Sequence, residues 1–198
     1  MYSSKEIRWF TPNKSEQIEK WFADKRQTFE TTKPRTDFYL PIPNKDDISF
    51  KLREGNIEMK LRQNKSDLVS LSVNTHGYYE NWVRWSFNVC QSDQLSKSII
   101  QERKYTWIEV YKERMGVKLT EDSNKSLSII DISERVPYGC QIEYTRLVID
   151  GKEWFTFATE WFGDKFLELD SKLLDEITGI TNLDAKYSMG YNEFLNKL

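Results

Sequence analysis

Five charged side chains within twelve residues are placed so that a single ligand can meet them all. Ile48–Arg53 and Ile57–Gln63 read ISFKLR and IEMKLRQ, with Glu54-Gly55-Asn56 between them. A hairpin turning on Gly55-Asn56 sets Arg53 opposite Glu58, Lys51 opposite Lys60 and Ser49 opposite Arg62. The two-residue side-chain period then gathers Lys51, Arg53, Glu58, Lys60 and Arg62 on one face. Phe50, Leu52, Ile57, Met59 and Leu61 fall on the other. Like charges directly opposite each other destabilise a strand pair. Such a face therefore has either free solvent or an anion in front of it.

A second hairpin carries carboxylates. Asp150-Gly151 is a type I′ signal between Cys140–Ile149 and Lys152–Phe162. It sets Ile149 against Lys152, Leu147 against Trp154, Thr145 against Thr156 and Glu143 against Ala158. Glu143, Thr145, Thr156 and Glu160 then share a face, with the small Ala158 between the carboxylates. The opposite face, with Ile142, Tyr144, Val148, Phe155, Phe157 and Trp161, is apolar. Trp82–Val89 alternates Arg84, Ser86 and Asn88 with Val83, Trp85, Phe87 and Val89. Glu6 and Arg8 alternate with Ile7 and Trp9, and Lys112 and Arg114 share a face with Val110.

These residues need a β scaffold, and the rest of the chain supplies one. Strands are expected at Glu6–Phe10, Asp37–Pro43, Leu68–Val73, Trp82–Val89, Thr106–Leu119 and Leu127–Ile132, besides the two hairpins. Ser15 caps a helix to about Lys25 with Ile18, Trp21 and Phe22 on one face. Ser92–Arg103, Leu167–Ile177 and Tyr191–Leu198 read as helical. Eight or nine antiparallel strands fit either a sandwich or a closed barrel. In the first, the charges face water. In the second, they line a lumen and helices cover the apolar outer faces. Periodicity alone leaves both open.

Composition narrows the function classes. The 198 residues suit one domain, 1–198, rather than two. The 38% hydrophobic content and seven Trp provide a core, and the formal net charge of −2 argues against a general nucleic-acid binder. One histidine, His76, in a loop-like run, rules out an imidazole metal site, so any metal must sit on carboxylates. Cys90 and Cys140 have no paired spacing and read as small buried residues. The Asn-Lys-Ser triplets at Asn13, Asn64 and Asn124 read as polar loop or cap residues. No run has signal-peptide or membrane-span length, so a soluble cytoplasmic protein without membrane or nucleic-acid partners is the expectation.

Several of these pieces together resemble the CYTH superfamily, the triphosphate tunnel metalloenzymes. They are the Glu6/Arg8 strand, the two strands with Lys-Leu-Arg, Lys112-Glu113-Arg114, the late glutamate hairpin and the tail from Tyr187 to Leu195. The resemblance implies an α+β fold built on an eight-stranded antiparallel barrel, a tunnel with a charged lumen and flanking helices. It further implies hydrolysis of inorganic triphosphate or a triphosphate ester with Mg²⁺ or Mn²⁺. In that frame Arg8, Lys51, Arg53, Lys60, Arg62, Arg84, Lys112 and Arg114 hold the polyphosphate. Glu6, Glu58, Glu143 and Glu160 are the metal ligands, with Glu109 a possible replacement carboxylate. The chain departs from the family's Glu-x-Glu-x-Lys signature, with Arg8 at the second Glu and Phe10 at the Lys. A non-catalytic member that binds a phosphorylated ligand or polyanion is the alternative.

Overall fold

In the computed structural model, which describes residues 2–89, 93–122 and 125–198, the strands close on themselves. Chain order is β1 (Tyr2–Thr11), α1 (Glu16–Ala23), β2 (Arg35–Leu40), β3 (Ile48–Arg53), β4 (Asn56–Lys65), β5 (Val69–Ser72), β6 (Thr75–Gly77) and β7 (Glu80–Asn88). Then follow α2 (Gln94–Ile100), β8 (Ile108–Glu121), β9 (Leu127–Asp131), β10 (Gly139–Ile149), β11 (Lys152–Phe162), α3 (Ser171–Thr178) and α4 (Tyr191–Leu195). The sheet order β10-β11-β1-β7-β4-β3-β2-β8 is completed by β8 pairing back onto β10, all antiparallel. The result is an eight-stranded barrel without open edges. β9 adds to β8 outside the ring, and β5 with β6 forms a separate two-stranded sheet. Cys90, Asn124 and the expected helix start at Ser92 lie outside the described residues.

The Asp150-Gly151 hairpin has the expected register along its whole length, from Gly139 opposite Phe162 to Ile149 opposite Lys152. The first hairpin is corrected by two residues. It turns on Glu54-Gly55, with φ of 45° and 76°, and Asn56 begins β4 opposite Arg53. Two consecutive left-handed residues are what a type I′ turn requires. A shift of two leaves every side chain on its expected face. It also replaces the unfavourable Lys51–Lys60 opposition with Lys51 opposite Glu58, whose charged atoms lie 2.8 Å apart.

Two apolar clusters hold the barrel. The larger lies outside it. Ile7, Trp9, Met115, Val117, Ile142, Tyr144, Phe155 and Phe157 pack against Ile18, Trp21 and Phe22 of α1 and Ile177 of α3. Ser15 caps α1, its hydroxyl accepting from the Ile18 N–H at 3.3 Å. The expectation that helices cover the outer faces is met for β1, β8, β10 and β11. It is not met along β4 and β7, where Leu61 and Phe87 are exposed.

The smaller cluster plugs one end from within. Phe10, Tyr39, Val110, Leu147 and Trp154 share strand faces with Arg8, Asp37, Lys112, Thr145 and Thr156, but lie one step nearer that end. They pack on Met189, Tyr191, Phe194 and Leu195 of the C-terminal segment. Phe10 stacks on Phe194 with ring centroids 4.0 Å apart and meets Tyr191 edge-on at 5.0 Å. This explains an aromatic residue at position 10. The segment is tied down by Met189 N–H donating to the Arg8 carbonyl at 3.0 Å. Glu193 Oε2 adds ion pairs to Lys65 at 2.9 Å and Arg62 at 3.6 Å. Among the described residues no helix is long and apolar enough to cross a membrane.

Phe194 is 5% exposed. Phe194→Ala removes the keystone of the plug and should lower unfolding free energy by about 3–5 kcal/mol. Denaturant titration of both forms checks this, and a loss below about 1 kcal/mol would mean that the plug is not part of the cooperative unit.

Candidate functional site

Above the plug the barrel encloses a cavity of about 350 Å³, within the range of small-ligand sites. Alternation puts charge there because each strand already turns its apolar face outward. β1 contributes Glu6 and Arg8, β3 Lys51 and Arg53, and β4 Glu58 and Lys60. β7 adds Arg84, β8 Lys112 and Arg114, β10 Glu143, and β11 Glu160. Arg62 is the sequence-selected residue that does not line it. Its guanidinium is held by Glu80 at 2.5 Å and by Glu193 at 3.6 Å, at the plugged end where the C-terminal helix docks. Arg62 therefore fastens the plug.

Residues not singled out from the sequence complete the wall. They are Tyr2, Arg35, Tyr39, Glu80, Trp82, Lys118, Gln141 and Tyr191, among others. Arg35, Asp37 and Tyr39 share one face of β2, and Glu80, Trp82 and Arg84 one face of β7. Both alternations were readable, had the strands been begun two residues earlier. Tyr191 arrives from the C-terminal segment by tertiary packing, which no local pattern announces.

The lining holds nine cationic side chains against five carboxylates among the described residues. Beneath it lies Asp37, 0% exposed. Its carboxylate meets Lys112 at 2.9 Å, Arg53 at 3.2 Å and Arg35 at 3.4 Å. Burial works against its charge, but Lys112, Lys51 and Arg53 hold its pKa well below the ordinary carboxylate range. Lys112 Nζ also donates to the Tyr39 hydroxyl at 2.7 Å and lies 3.9 Å from the Tyr191 ring centroid. Glu58 pairs with Lys51 and, at 3.5 Å, with Arg53. Lys60 reaches Glu6 at 3.1 Å, and Arg114 reaches Glu143 at 2.5 Å. Burial would raise the Glu143 carboxyl, but Arg114 and Arg8 bring it down to about 2. At the end opposite the plug, Arg84 and Lys118 make no ion pair among the described residues. Arg84 lies over the Tyr2 ring at 4.7 Å.

The carboxylates expected to hold a metal are separated by cations. Glu58 is engaged by Lys51 and Arg53, across the barrel from the others. The Arg8 guanidinium lies beside both Glu6 and Glu143. Among the described residues, no three His, Cys, Asp or Glu side chains are grouped to hold a metal ion. This donor set does not fit Mg²⁺ or Mn²⁺, which need converging oxygens. Glu109 pairs with Arg103 outside the cavity at 3.0 Å. His76 lies in β6, where its Nδ1 and Nε2 meet Ser70 Oγ and the Val73 carbonyl.

The fold and site thus define a closed antiparallel barrel around a paired-charge cavity with a cationic excess. No family model and no curated protein matches the chain. Among solved structures, a botulinum neurotoxin mosaic serotype C/D receptor-binding domain aligns at 16% identity and a TM-score of 0.17. It covers 88% of this chain and 36% of that one, a likeness too slight to carry any argument.

Lys51 and Lys112 are each brought from 10.5 to about 7 by burial. Arg53 adds to this at Lys51; at Lys112 the pull of Asp37 offsets burial only in part, and Arg35 and Arg53 lower it further. A lysine whose folded pKa lies below its unfolded value binds fewer protons when folded. Stability should therefore rise with pH from about 7 toward 10, by at most about 1.4 kcal/mol per pH unit per lysine. Unfolding titrations at pH 7 and 9 check this. Lys112→Met should remove part of the slope, and a flat profile in the parent protein would contradict the assignment.

Proposed function

We propose that the barrel interior is a binding site for a compact polyanion, a short polyphosphate or a phosphoryl ester. The observation that carries this reading is the excess of nine cations over five carboxylates around one small cavity closed at its far end. Triphosphate bears about four charges at neutral pH and needs several fixed cations around it. Arg53, Arg84 and Arg114 can give forked contacts to phosphate oxygens, while Lys51, Lys60 and Lys118 act as point charges. The resemblance to the CYTH superfamily supports the same ligand class and a cytoplasmic setting. The buried free thiol of Cys140 is compatible with that setting. Hydrolysis is the activity which that family resemblance implies. The cation-separated carboxylates favour binding without turnover, since among the described residues no converging oxygens would place a metal beside an attacking water.

Calorimetry with tripolyphosphate at low salt tests the reading. Saturable binding is expected, with Kd in the micromolar range, roughly −8 kcal/mol, weakening as salt is added. Arg84→Ala and Lys118→Ala should each weaken it about tenfold, while Arg103→Ala, outside the cavity, should leave it unchanged. Phosphate release should be absent with Mg²⁺, Mn²⁺ or chelator. Metal-dependent release that disappears in Glu160→Gln would establish the hydrolase reading instead. No binding under any condition would overturn both.

A further inference from the structure

Glu160 is the carboxylate of the lining that the barrel leaves without a partner. Lys60 holds Glu6 at 3.1 Å and Lys51 holds Glu58 at 2.8 Å, while Arg62 and Arg114 hold Glu80 and Glu143, each at 2.5 Å. The Glu160 carboxylate lines the same cavity with neither an ion pair nor a hydrogen bond among the described residues. Its strand neighbours supply none. Glu6 is directly opposite it on β1, and Gln141, directly opposite on β10, gives its amide to Glu143 Oε1 at 2.5 Å. Along β11 the inward positions run Thr156, opposite Phe10 of the plug, then Ala158, Glu160 and Phe162. Glu160 therefore stands in the open half of the cavity, with Phe162 beyond it. Tyr2 is close by. Burial pushes its hydroxyl up to about 12, and the Glu160 charge adds to the rise.

The open half thus presents Arg84, Lys118 and Glu160, none of them in an ion pair among the described residues. The two cations suit phosphoryl oxygens. An ionised carboxylate can only accept hydrogen bonds. Inorganic polyphosphate offers Glu160 acceptor oxygens alone, and the two charges repel. A ligand that suits all three groups is anionic in one part and carries hydrogen-bond donors in another. Ammonium donors would suit Glu160 but would meet Arg84 and Lys118 at the same end of the cavity. Neutral donors avoid that conflict, and two adjacent hydroxyls match the two oxygens of one carboxylate.

We propose that Glu160 determines specificity by accepting hydrogen bonds from the hydroxyls of the ligand's head group, so that the ligand is a phosphoryl ester of a sugar-like diol. Its phosphoryl chain points toward Lys51 and Lys112, and its head group lies at the open end beside Glu160, Tyr2 and Phe162. This inference rests on the proposed function and narrows the ligand class to esters.

Calorimetry in EDTA on the full chain tests it with adenosine triphosphate, its 2′,3′-dideoxy analogue and tripolyphosphate, in wild type and Glu160→Gln. The two nucleotides carry the same phosphate chain and differ only in the diol. Wild type should bind the diol form about tenfold more tightly, the scale of losing hydrogen bonds to a charged acceptor. In Glu160→Gln the two nucleotides should agree within about twofold, and tripolyphosphate should bind about two- to threefold more tightly because a like charge is gone. A role through charge alone would shift all three ligands together and leave the diol preference unmoved. The substitution breaks no ion pair, so the variant should fold as wild type does by circular dichroism. Equal binding of the two nucleotides by wild type overturns the inference, as does a diol preference that survives Glu160→Gln. So does a wild type that takes tripolyphosphate but neither nucleotide. In each of these cases tripolyphosphate binding leaves the proposed function standing. If wild type binds none of the three, the proposed function falls and this inference falls with it.

Discussion

Everything inside this barrel depends on pairing charge with charge. Asp37 shows the constraint most sharply. Its carboxylate is fully buried and is surrounded by Lys112, Arg53 and Arg35. An isolated ion there would cost several kcal/mol, and so would each of its partners without it. Pairing therefore counts less as a source of stability than as a condition for closing the barrel around charged side chains. Lys51–Glu58, Lys60–Glu6 and Arg114–Glu143 repeat it around the barrel. The pairs fix the rotamers of long side chains that would otherwise be costly to order. The cavity is consequently preorganised before any ligand enters.

The plug follows from the same alternation. Along β1 the inward positions run Glu6, Arg8, Phe10, and along β8 they run Arg114, Lys112, Val110. One strand face changes from charged to apolar within a single step. An inward apolar residue at a barrel end needs a lid, and Tyr191, Phe194 and Leu195 provide it. The lid is in turn held by charges, since Glu193 spans Lys65 and Arg62. Tyr191 belongs to both regions, packing on Phe10 and Tyr39 while its ring faces Arg8 and Lys112. The polar cavity and the apolar plug therefore form one cooperative structure.

Much of this was legible in the sequence because period-two alternation survives errors of register. The first hairpin turns on Glu54-Gly55 rather than Gly55-Asn56. The error of two residues left all five of its charged side chains on the inward face. Alternation cannot say whether such a face meets water or a lumen. Closure is decided by pairings between segments far apart in sequence, β1 with β11 and β2 with β8. Strand ends were the weakest part of the reading. β2 begins at Arg35 rather than Asp37, and β7 at Glu80 rather than Trp82, so Arg35 and Glu80 were missed. Arg62 was misplaced for a different reason. It shares the inward face but lies at the plugged end, where Glu80 and Glu193 hold it, and the docking of the C-terminal helix has no local signature.

The balance of charges also limits what can enter. A ligand with one negative charge offers little to a cavity whose cations already have carboxylate partners, because it must compete with groups that are covalently in place. A polyanion can first use Arg84 and Lys118, which make no ion pair among the described residues, and then share the deeper cations with their carboxylates. Lys51 and Lys112, held near neutrality by burial, favour such a ligand further. An incoming anion raises their basicity, so binding takes up protons and strengthens as pH falls from about 10 toward about 7. A cavity poised in this way discriminates by total ligand charge more than by shape. That follows from placing two lysines and Arg53 around a single buried aspartate.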